Sequence, residues 1–201
     1  MEFVLRRRPA HRRLAVFPGA FNPPTRAHEA MALAALAHAD EVVLTLAARM
    51  PHKQMAADEA ARRLEWMRLL ADCDERVSVA VSDGGLFVEM AREARAASGV
   101  DEVSIVCGRD AAERAIAWDY GDAPAFSEQL REFSMLVAPR MGHIEVTGPL
   151  IERVTLLDLD EKLQSLSSTE ARRLIEAGAQ WHDLVPERIA EQLRSLGEPL
   201  A

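Results

Sequence analysis

The chain has 201 residues, of which 49% are hydrophobic and 28% charged. This composition is typical of a globular protein and excludes a fibrous or disordered one, and the length suits one sizeable core rather than two domains. A net charge of −8 argues against a broad nucleic-acid surface, and no apolar run reaches the length of a membrane span. We therefore expect neither nucleic acid nor a membrane as a partner.

The first thirteen residues carry a strongly basic segment, RRRPAHRR at positions 6–13. No apolar segment of the signal-peptide kind follows it. We expect residues 1–13 to form a solvated basic arm, and contact with a polyanion or a partner is the alternative. Residues 14–196 would then form the folded domain and residues 197–201 a short tail.

From position 14 onward, short runs rich in β-branched residues alternate with windows of helical periodicity. Nearly continuous hydrophobic strands separated by helices are typical of a parallel sheet covered on both faces. We predict the α/β class, as a single doubly wound, Rossmann-like domain with a small C-terminal helical part and ligands bound beyond the carboxyl ends of the strands. In chain order the prediction is strand 14–17, helix 26–38, strand 41–47, helix 58–70, strand 76–81, helix 86–96, strand 102–107, helix 111–118, strand 134–138, strand 153–159, helix 168–176 and helix 186–196.

The two cysteines, Cys73 and Cys107, lie far apart and belong to no metal-binding or redox pattern. This usage fits a reducing compartment, so we expect a cytoplasmic protein. Cys107 ends an apolar run without a nominated base, which favours a buried strand position over a nucleophile.

The first strand is followed by the segment PGAFNPPT and then by a helix. Glycine permits close approach of a ligand to the backbone, and the prolines stiffen the turn. Thr25 is placed to cap the helix and His28 lies in its first turn, where unpaired amides and the helix dipole favour a phosphate. An ordinary connection with a capping threonine and a solvent-facing histidine explains the same residues.

A second segment of this kind, QSLSSTEARRLIEAG, occupies positions 164–178. Three successive hydroxyl side chains stand at the start of a helix that carries Arg172. Hydroxyls, backbone amides and a guanidinium together suit a phosphate, whereas a plain helix cap needs one hydroxyl. This second cluster favours a phosphate site over a bare connection.

Taken together, the two segments resemble the nucleotidylyltransferases that carry an (H/T)xGH motif after the first strand and an ISSTxxR motif late in the chain. The bacterial nicotinate- and nicotinamide-nucleotide adenylyltransferases are the most similar members. GAFNPPTRAH corresponds to their GxFxPxHxGH pattern and LSSTEAR to ISSTEIR, while MPHKQ, GRD, Trp118, APR and LVPERIAEQL follow in the family's order. The resemblance extends from about Leu14 to Leu196.

The chain departs from this pattern at three places. Thr25 stands where the commoner form has histidine, and Ala27 replaces the glycine before the second histidine. SDGGLFVEM, at positions 82–90, replaces the SYT-like segment of nicotinate-specific members. These departures bear on the acceptor.

The resemblance implies transfer of AMP from ATP to a nicotinate or nicotinamide mononucleotide with release of pyrophosphate. Magnesium would enter with the triphosphate, because that ion takes its ligands from phosphates and water, and we expect no dedicated protein metal site. The implied catalytic residues are Thr25, His28, Lys53 and Arg172; the nucleotide and phosphate ligands are Gly19, Ala20, Phe21, Asn22, Gly108, Asp110, Ser167, Ser168 and Thr169; and the acceptor ligands are Trp118 and Arg140.

Two other functions are compatible with the sequence. A nucleotidyltransferase for another phosphorylated acceptor would account for the altered segment 82–90, and a nucleotide-binding module without turnover would keep the same fold. Structural roles also stay open for single residues: a helix cap for Asp110, a surface position for Lys53, core packing for Trp118 and a strand end for Arg140. A homo-oligomer is equally compatible.

Overall fold

Strands and helices alternate throughout the computed structural model, which describes residues 1–48, 56–139 and 152–196. The strands are β1 (Glu2–Leu5), β2 (Arg13–Pro18), β3 (Glu41–Ala47), β4 (Val77–Ser82), β5 (Glu102–Gly108), β6 (Ser134–Ala138) and β7 (Val154–Leu156). The helices are α1 (Arg26–Ala35), α2 (Ala57–Ala71), α3 (Phe87–Ser98), α4 (Arg109–Ala117), α5 (Phe126–Gln129), α6 (Glu161–Gln164), α7 (Ser168–Glu176) and α8 (Glu187–Leu196), with a 3₁₀ turn at His182–Leu184.

The strands form one sheet in the order β1-β4-β3-β2-β5-β6-β7, in which β1 is antiparallel and every other pairing is parallel. The chain builds outward from β2 to β4 and then returns to place β5 on the other side of β2. The strand order therefore reverses between β2 and β5, and doubly wound sheets bind ligands at such a reversal. The predicted α/β class and doubly wound sheet are confirmed.

The central strands are apolar on both faces, which explains why they are buried. In β3, Val42 and Leu44 pack into one core, together with α1 and α2 side chains, while Val43 points into the opposite core, formed with α3 and α4. Successive residues of a strand alternate between its two faces, so a fully hydrophobic run requires cover on both.

The C-terminal helices pack on α2 through a third, smaller cluster. Trp66 of α2 is buried there against residues of α7 and α8, including Ala171, Ile189 and Ala190. Arg188 of α8 also donates to the carbonyl oxygens of Leu69 and Leu70. This packing fixes the position of α7, and hence of the second predicted phosphate segment.

The basic arm differs in part from the prediction, because it contacts the domain although most of its arginines stay exposed to solvent. Glu2–Leu5 pairs along β4 as an edge strand, and the arginines that follow meet acidic side chains. Arg6 binds the buried Glu41, and Arg8 binds Glu75 on the surface. A basic segment beside an acidic protein surface finds partners within its own chain.

Other differences concern short elements. Helix α1 ends at Ala35 rather than at position 38, and β7 is limited to Val154–Leu156 instead of 153–159. Helices α5 and α6 have four residues each and were not predicted, because one turn shows no periodicity. Within the described residues, no helix combines the length and apolar character that crossing a bilayer requires.

Candidate active site

A cavity of about 590 Å³ opens at the carboxyl ends of β2 and β5, where the strand order reverses. Both strands end in small residues there, since Gly19 follows β2 and Gly108 ends β5, and Ala138 ends the neighbouring β6. His28 of α1 and Asp110 of α4 also line the cavity. The lining residues that β5 and β6 contribute, Cys107, Gly108 and Ala138, are all small, so a ligand can approach the backbone there.

The loop between β2 and α1 has a rigid and unusual path. Phe21 adopts a positive φ of 45°, and its fully buried ring lies edge-on to Phe17, with centroids 5.5 Å apart. A Cβ on Gly19 would stand 2.9 Å from that ring, so only glycine fits. The Asn22–Pro23 peptide bond is cis. Phe21 therefore acts in the core, where it holds the shape of the loop.

Thr25 and His28 form a closed pair at the start of α1. The Thr25 amide donates to His28 Nδ1 at 3.0 Å, and Thr25 Oγ1 lies 2.7 Å from the same nitrogen. A nitrogen that accepts from an amide carries no proton, so the ring proton is on Nε2, at the opposite edge. Thr25 is completely buried, and its predicted position as the helix cap is confirmed. Thr25 thus orients the imidazole and presents Nε2–H as a donor.

Side chains from other helices hold the outer side of this loop. Arg172 donates to the carbonyl oxygen of Asn22, and Ser168 Oγ donates to that of Pro23 at 2.8 Å. Arg63 of α2 donates to the carbonyl oxygen of Ala20 at 3.2 Å. The two segments recognised in the sequence are therefore in direct contact, 150 residues apart along the chain.

Arg63 is a residue that sequence reasoning missed. It is only 5% exposed and forms an ion pair with Glu59 one turn earlier. The available signal was its position on the buried stripe of α2, three and four residues before Trp66 and Met67. A charged side chain on an apolar helix face requires a partner, and here the partner is the loop.

The start of α7 is capped by a side chain, the role that was the alternative to a phosphate site. Ser167 is the N-cap, and its hydroxyl accepts from the Glu170 amide at 3.1 Å. Arg172 Nη2 also donates to Thr169 Oγ1 at 3.3 Å. None of these side chains is among the described residues that line the 590 Å³ cavity. They lie behind the β2–α1 loop, on its side toward α7.

A second, smaller cavity of about 230 Å³ adjoins the first, and we name it the outer cavity. The two share Gly85, Phe87, Ala111 and Arg114 as lining residues. Trp118 lines the outer cavity and is 55% exposed, which excludes core packing for its ring. Tyr120 completes the wall, and its hydroxyl donates to the Ala115 carbonyl oxygen at 2.9 Å.

Residues of the altered segment 82–90 line this outer cavity, and several amides of the segment are already bound. Glu89 Oε2 accepts from the amides of Gly85 and Leu86, each at 2.9 Å. Glu93 accepts from the Gly84 amide at 2.7 Å. The amides of the turn that precedes α3 are therefore occupied by carboxylates of that helix.

Cys107 also lines the main cavity, and it is unsuited to nucleophilic attack. Burial raises the pKa of its thiol to about 12, so the reactive thiolate is scarce at neutral pH. The predicted buried position in a strand is confirmed. Among the described residues, no three His, Cys, Asp or Glu side chains stand close enough together to hold a metal ion.

The structure brings some of the predicted ligands together and separates others. Gly19, Ala20, His28, Gly108 and Asp110 line one cavity, and Trp118 lines its extension. Gly19 was expected to bind phosphate. Its amide instead donates to the Thr45 carbonyl oxygen at 3.1 Å and is therefore occupied. Lys53 and Arg140 lie outside the described residues.

Arg114 is the second residue that sequence reasoning missed. It follows Asp110 by one helical turn, and its Nε donates to the Asp110 carbonyl oxygen at 3.1 Å. This spacing was the available signal, since residues four apart on a helix share a face.

Comparisons with known proteins agree with this geometry. A cytidylyltransferase-like family model matches residues 16–174. A protein of Gloeobacter violaceus described as a probable nicotinate-nucleotide adenylyltransferase is 27% identical and aligns over 92% of this chain and 95% of its own. The solved Plasmodium falciparum nicotinic acid mononucleotide adenylyltransferase, complexed with NaAD, has a TM-score of 0.67 and 14% identity, covering 92% of this chain and 96% of that one. The same enzyme complexed with APC has a TM-score of 0.65, with the same identity and coverage.

The likeness to the solved structures supports the fold, and the family model covers most of the chain, including both motif segments up to position 174. The superfamily predicted from the motifs is confirmed. The chain belongs to the cytidylyltransferase-like family.

Proposed function

We propose that the protein is an adenylyltransferase, which transfers AMP from ATP to the phosphate of a nicotinate or nicotinamide mononucleotide and releases pyrophosphate. One observation carries the proposal. The segments that start α1 and α7 meet at the β2–α1 loop, beside a cavity at the strand-order reversal. Helix N-termini of this kind suit a polyanion, and the activity in the descriptions of the relatives agrees.

The reaction needs little proton chemistry. An oxygen of the acceptor phosphate attacks the α-phosphorus of ATP and forms the new P–O bond, while the bond from that phosphorus to the bridging oxygen of the β-phosphate breaks. The acceptor phosphate is already ionised at neutral pH, so no general base is required. Catalysis then depends on positioning and on donors directed at the charge of the transition state.

His28 is assigned to the reacting phosphate. Its Nε2–H faces away from Thr25, and the residue lines the cavity. A neutral imidazole that donates one directed hydrogen bond stabilises growing negative charge on an α-phosphate oxygen. Thr25 is a positioning residue, since its contacts hold the ring while its own side chain is completely buried.

The remaining roles follow the positions of the side chains. We assign Gly108 and Ala20 to close approach of the nucleotide to the backbone and Asp110 to the ribose hydroxyls, since all three line the cavity. We assign the hydroxyls at positions 167–169, Asn22 and Arg172 to the β- and γ-phosphates, so that Arg172 exchanges its contact with the Asn22 carbonyl oxygen for a phosphate when ATP binds. Lys53 and Arg140 are assigned to phosphate by the motif resemblance alone.

Magnesium enters this scheme as part of the substrate, the magnesium complex of ATP. It neutralises charge on the triphosphate and takes most of its ligands from phosphate oxygens and water. We also propose a cytoplasmic location, because both cysteines are free thiols and thiols persist in reducing compartments.

The outer cavity favours an acceptor that contains a flat ring, since the exposed Trp118 offers a face on which such a ring can stack. The amides of Gly85 and Leu86, which Glu89 already occupies, instead favour the alternative of another phosphorylated acceptor. Pyrophosphate release measured with ATP, magnesium and a panel of phosphorylated acceptors separates the two. Reaction with the pyridine mononucleotides alone supports the proposal, and reaction with other acceptors alone overturns the choice of acceptor.

His28→Asn tests the role of His28 in the same assay, because this substitution keeps a polar side chain and removes the Nε2 donor. We expect a fall in kcat of about 100-fold to 1,000-fold, as for loss of one oxyanion donor. Retained turnover would contradict the assignment of His28, and retained nucleotide binding would show that the site is still folded.

A further inference from the structure

Three hydrogen-bond donors of residues that line the outer cavity are already occupied within the protein. The amides of Gly85 and Leu86 already donate to Glu89, and the hydroxyl of Tyr120 already donates to the Ala115 carbonyl oxygen. The lining is otherwise largely apolar, with alanine, leucine, phenylalanine and tryptophan side chains. An acidic group on a ring seated among these apolar side chains needs a cation to compensate its charge.

Arg114 is the cationic side chain that the described part of the chain supplies to this lining. Its Nε is fixed by the Asp110 carbonyl oxygen, which aligns the guanidinium along α4. No carboxylate among the described residues forms an ion pair with Arg114. Its two Nη atoms can therefore donate to a ligand. A guanidinium binds a carboxylate with two parallel hydrogen bonds, a geometry that a neutral amide cannot match in strength.

We infer that Arg114 determines acceptor specificity by binding the carboxylate of a pyridine ring stacked on Trp118. The inference rests on the proposed function and deepens it: the preferred acceptor is the mononucleotide that carries a ring carboxylate, and its counterpart with a ring carboxamide is the poorer one. The phosphate of either acceptor extends the other way, into the main cavity toward His28.

The test compares kcat/KM for nicotinate mononucleotide and nicotinamide mononucleotide, at saturating ATP and magnesium, in wild type and Arg114→Gln. Arg92→Gln is the control, because Arg92 is an exposed arginine of α3 paired with Glu132, outside both cavities. Thermal unfolding of each variant verifies the fold. Arg114→Lys, which keeps the charge and loses the paired donors, serves as a second variant.

Loss of a charge-assisted hydrogen bond corresponds to about 10-fold to 100-fold in the preference. We expect the ratio of the two kcat/KM values to fall by that factor in Arg114→Gln, to fall less in Arg114→Lys and to stay unchanged in Arg92→Gln. An unchanged ratio in Arg114→Gln overturns the inference. An equal loss with both acceptors also overturns it, because the guanidinium would then contact the phosphate that they share.

The same experiment separates this inference from the proposed function. Wild-type protein that forms a dinucleotide from either acceptor satisfies the proposed function, whatever Arg114→Gln does. If the wild-type protein forms no dinucleotide from either acceptor, the proposed function itself is contradicted.

Discussion

The buried carboxylate of Glu41 gives the sharpest prediction about stability. It is completely buried and accepts from Arg6 Nε at 3.0 Å, Arg6 Nη2 at 2.8 Å, the Ala10 amide at 2.7 Å and Ser78 Oγ at 2.6 Å. Arg6→Met keeps the apolar stem and removes the compensating charge. Breaking a buried pair costs several kcal/mol, and because Arg6 is 19% exposed and two donors remain, we expect a loss of about 2 to 4 kcal/mol.

Arg8→Met is the matched control in the same arm. Arg8 pairs with Glu75, and both side chains are more than half exposed, at 62% and 65%. Such a pair contributes about 0.5 kcal/mol or less. Urea unfolding followed by circular dichroism measures the free energy of unfolding of both variants. Equal effects in Arg6→Met and Arg8→Met would refute the reasoning, because burial would then not decide the strength of the pair.

Three further predictions concern the site and the titrating groups. Thr25→Val removes the hydroxyl beside His28, so we expect kcat to fall about 10-fold to 100-fold with little change in the KM for ATP; an unchanged kcat in steady-state assays would contradict its positioning role. Burial raises the pKa of Cys73 to about 11 and that of Cys107 to about 12, so both thiols should react slowly with a disulfide reagent near pH 8 until the protein is denatured; rapid reaction of either in the native protein would argue against it. Backbone and side-chain hydrogen bonds from an arginine of the arm lower the pKa of Asp40 below 3.8, so its stabilising effect is complete above that value and is lost as the pH falls through the lower, folded-state pKa. The free energy of unfolding of Asp40→Asn should therefore fall less than that of wild type between about pH 6 and about pH 3, and parallel pH profiles would show that Asp40 contributes nothing.

The central strands were predictable because their signal is local and strong. The runs at 41–47 and 134–138 agree with β3 and β6 at both ends, since both strands are largely apolar and almost completely buried. Helix α7 agrees for another reason, as Ser167 caps its start with a side-chain hydrogen bond. Strong burial and a clear cap define an element from sequence.

The edge strands and the arm were less predictable because their partners are distant in sequence. Glu2–Leu5 becomes a strand by pairing with β4, almost eighty residues later, and its neighbouring arginines meet acids that the local sequence does not reveal. Basic composition alone does not indicate which acidic side chains of the same chain the arm contacts. The register of the edge and the burial of Glu41 follow from tertiary structure alone.

The two motif segments of the site were predictable from the sequence, whereas the arginines between them were not. The turn at Thr25 and His28 and the hydroxyl run at 167–169 carry local capping and phosphate signals. Arg63 and Arg114 matter through what they touch, the Ala20 carbonyl oxygen and the outer cavity. Their roles depend on how α2 and α4 pack beside the loop, which no short pattern encodes.

The central claim is that an acceptor phosphate attacks the α-phosphorus of ATP at this site. The most direct test is ³¹P NMR of purified protein with magnesium, nicotinate mononucleotide and ATP that carries ¹⁸O in the oxygen bridging its α- and β-phosphorus atoms. We predict equal amounts of dinucleotide and pyrophosphate, with the label in pyrophosphate, because the bond from the α-phosphorus to that oxygen breaks. Formation of ADP and phosphate, or no turnover with either pyridine mononucleotide, would contradict the account.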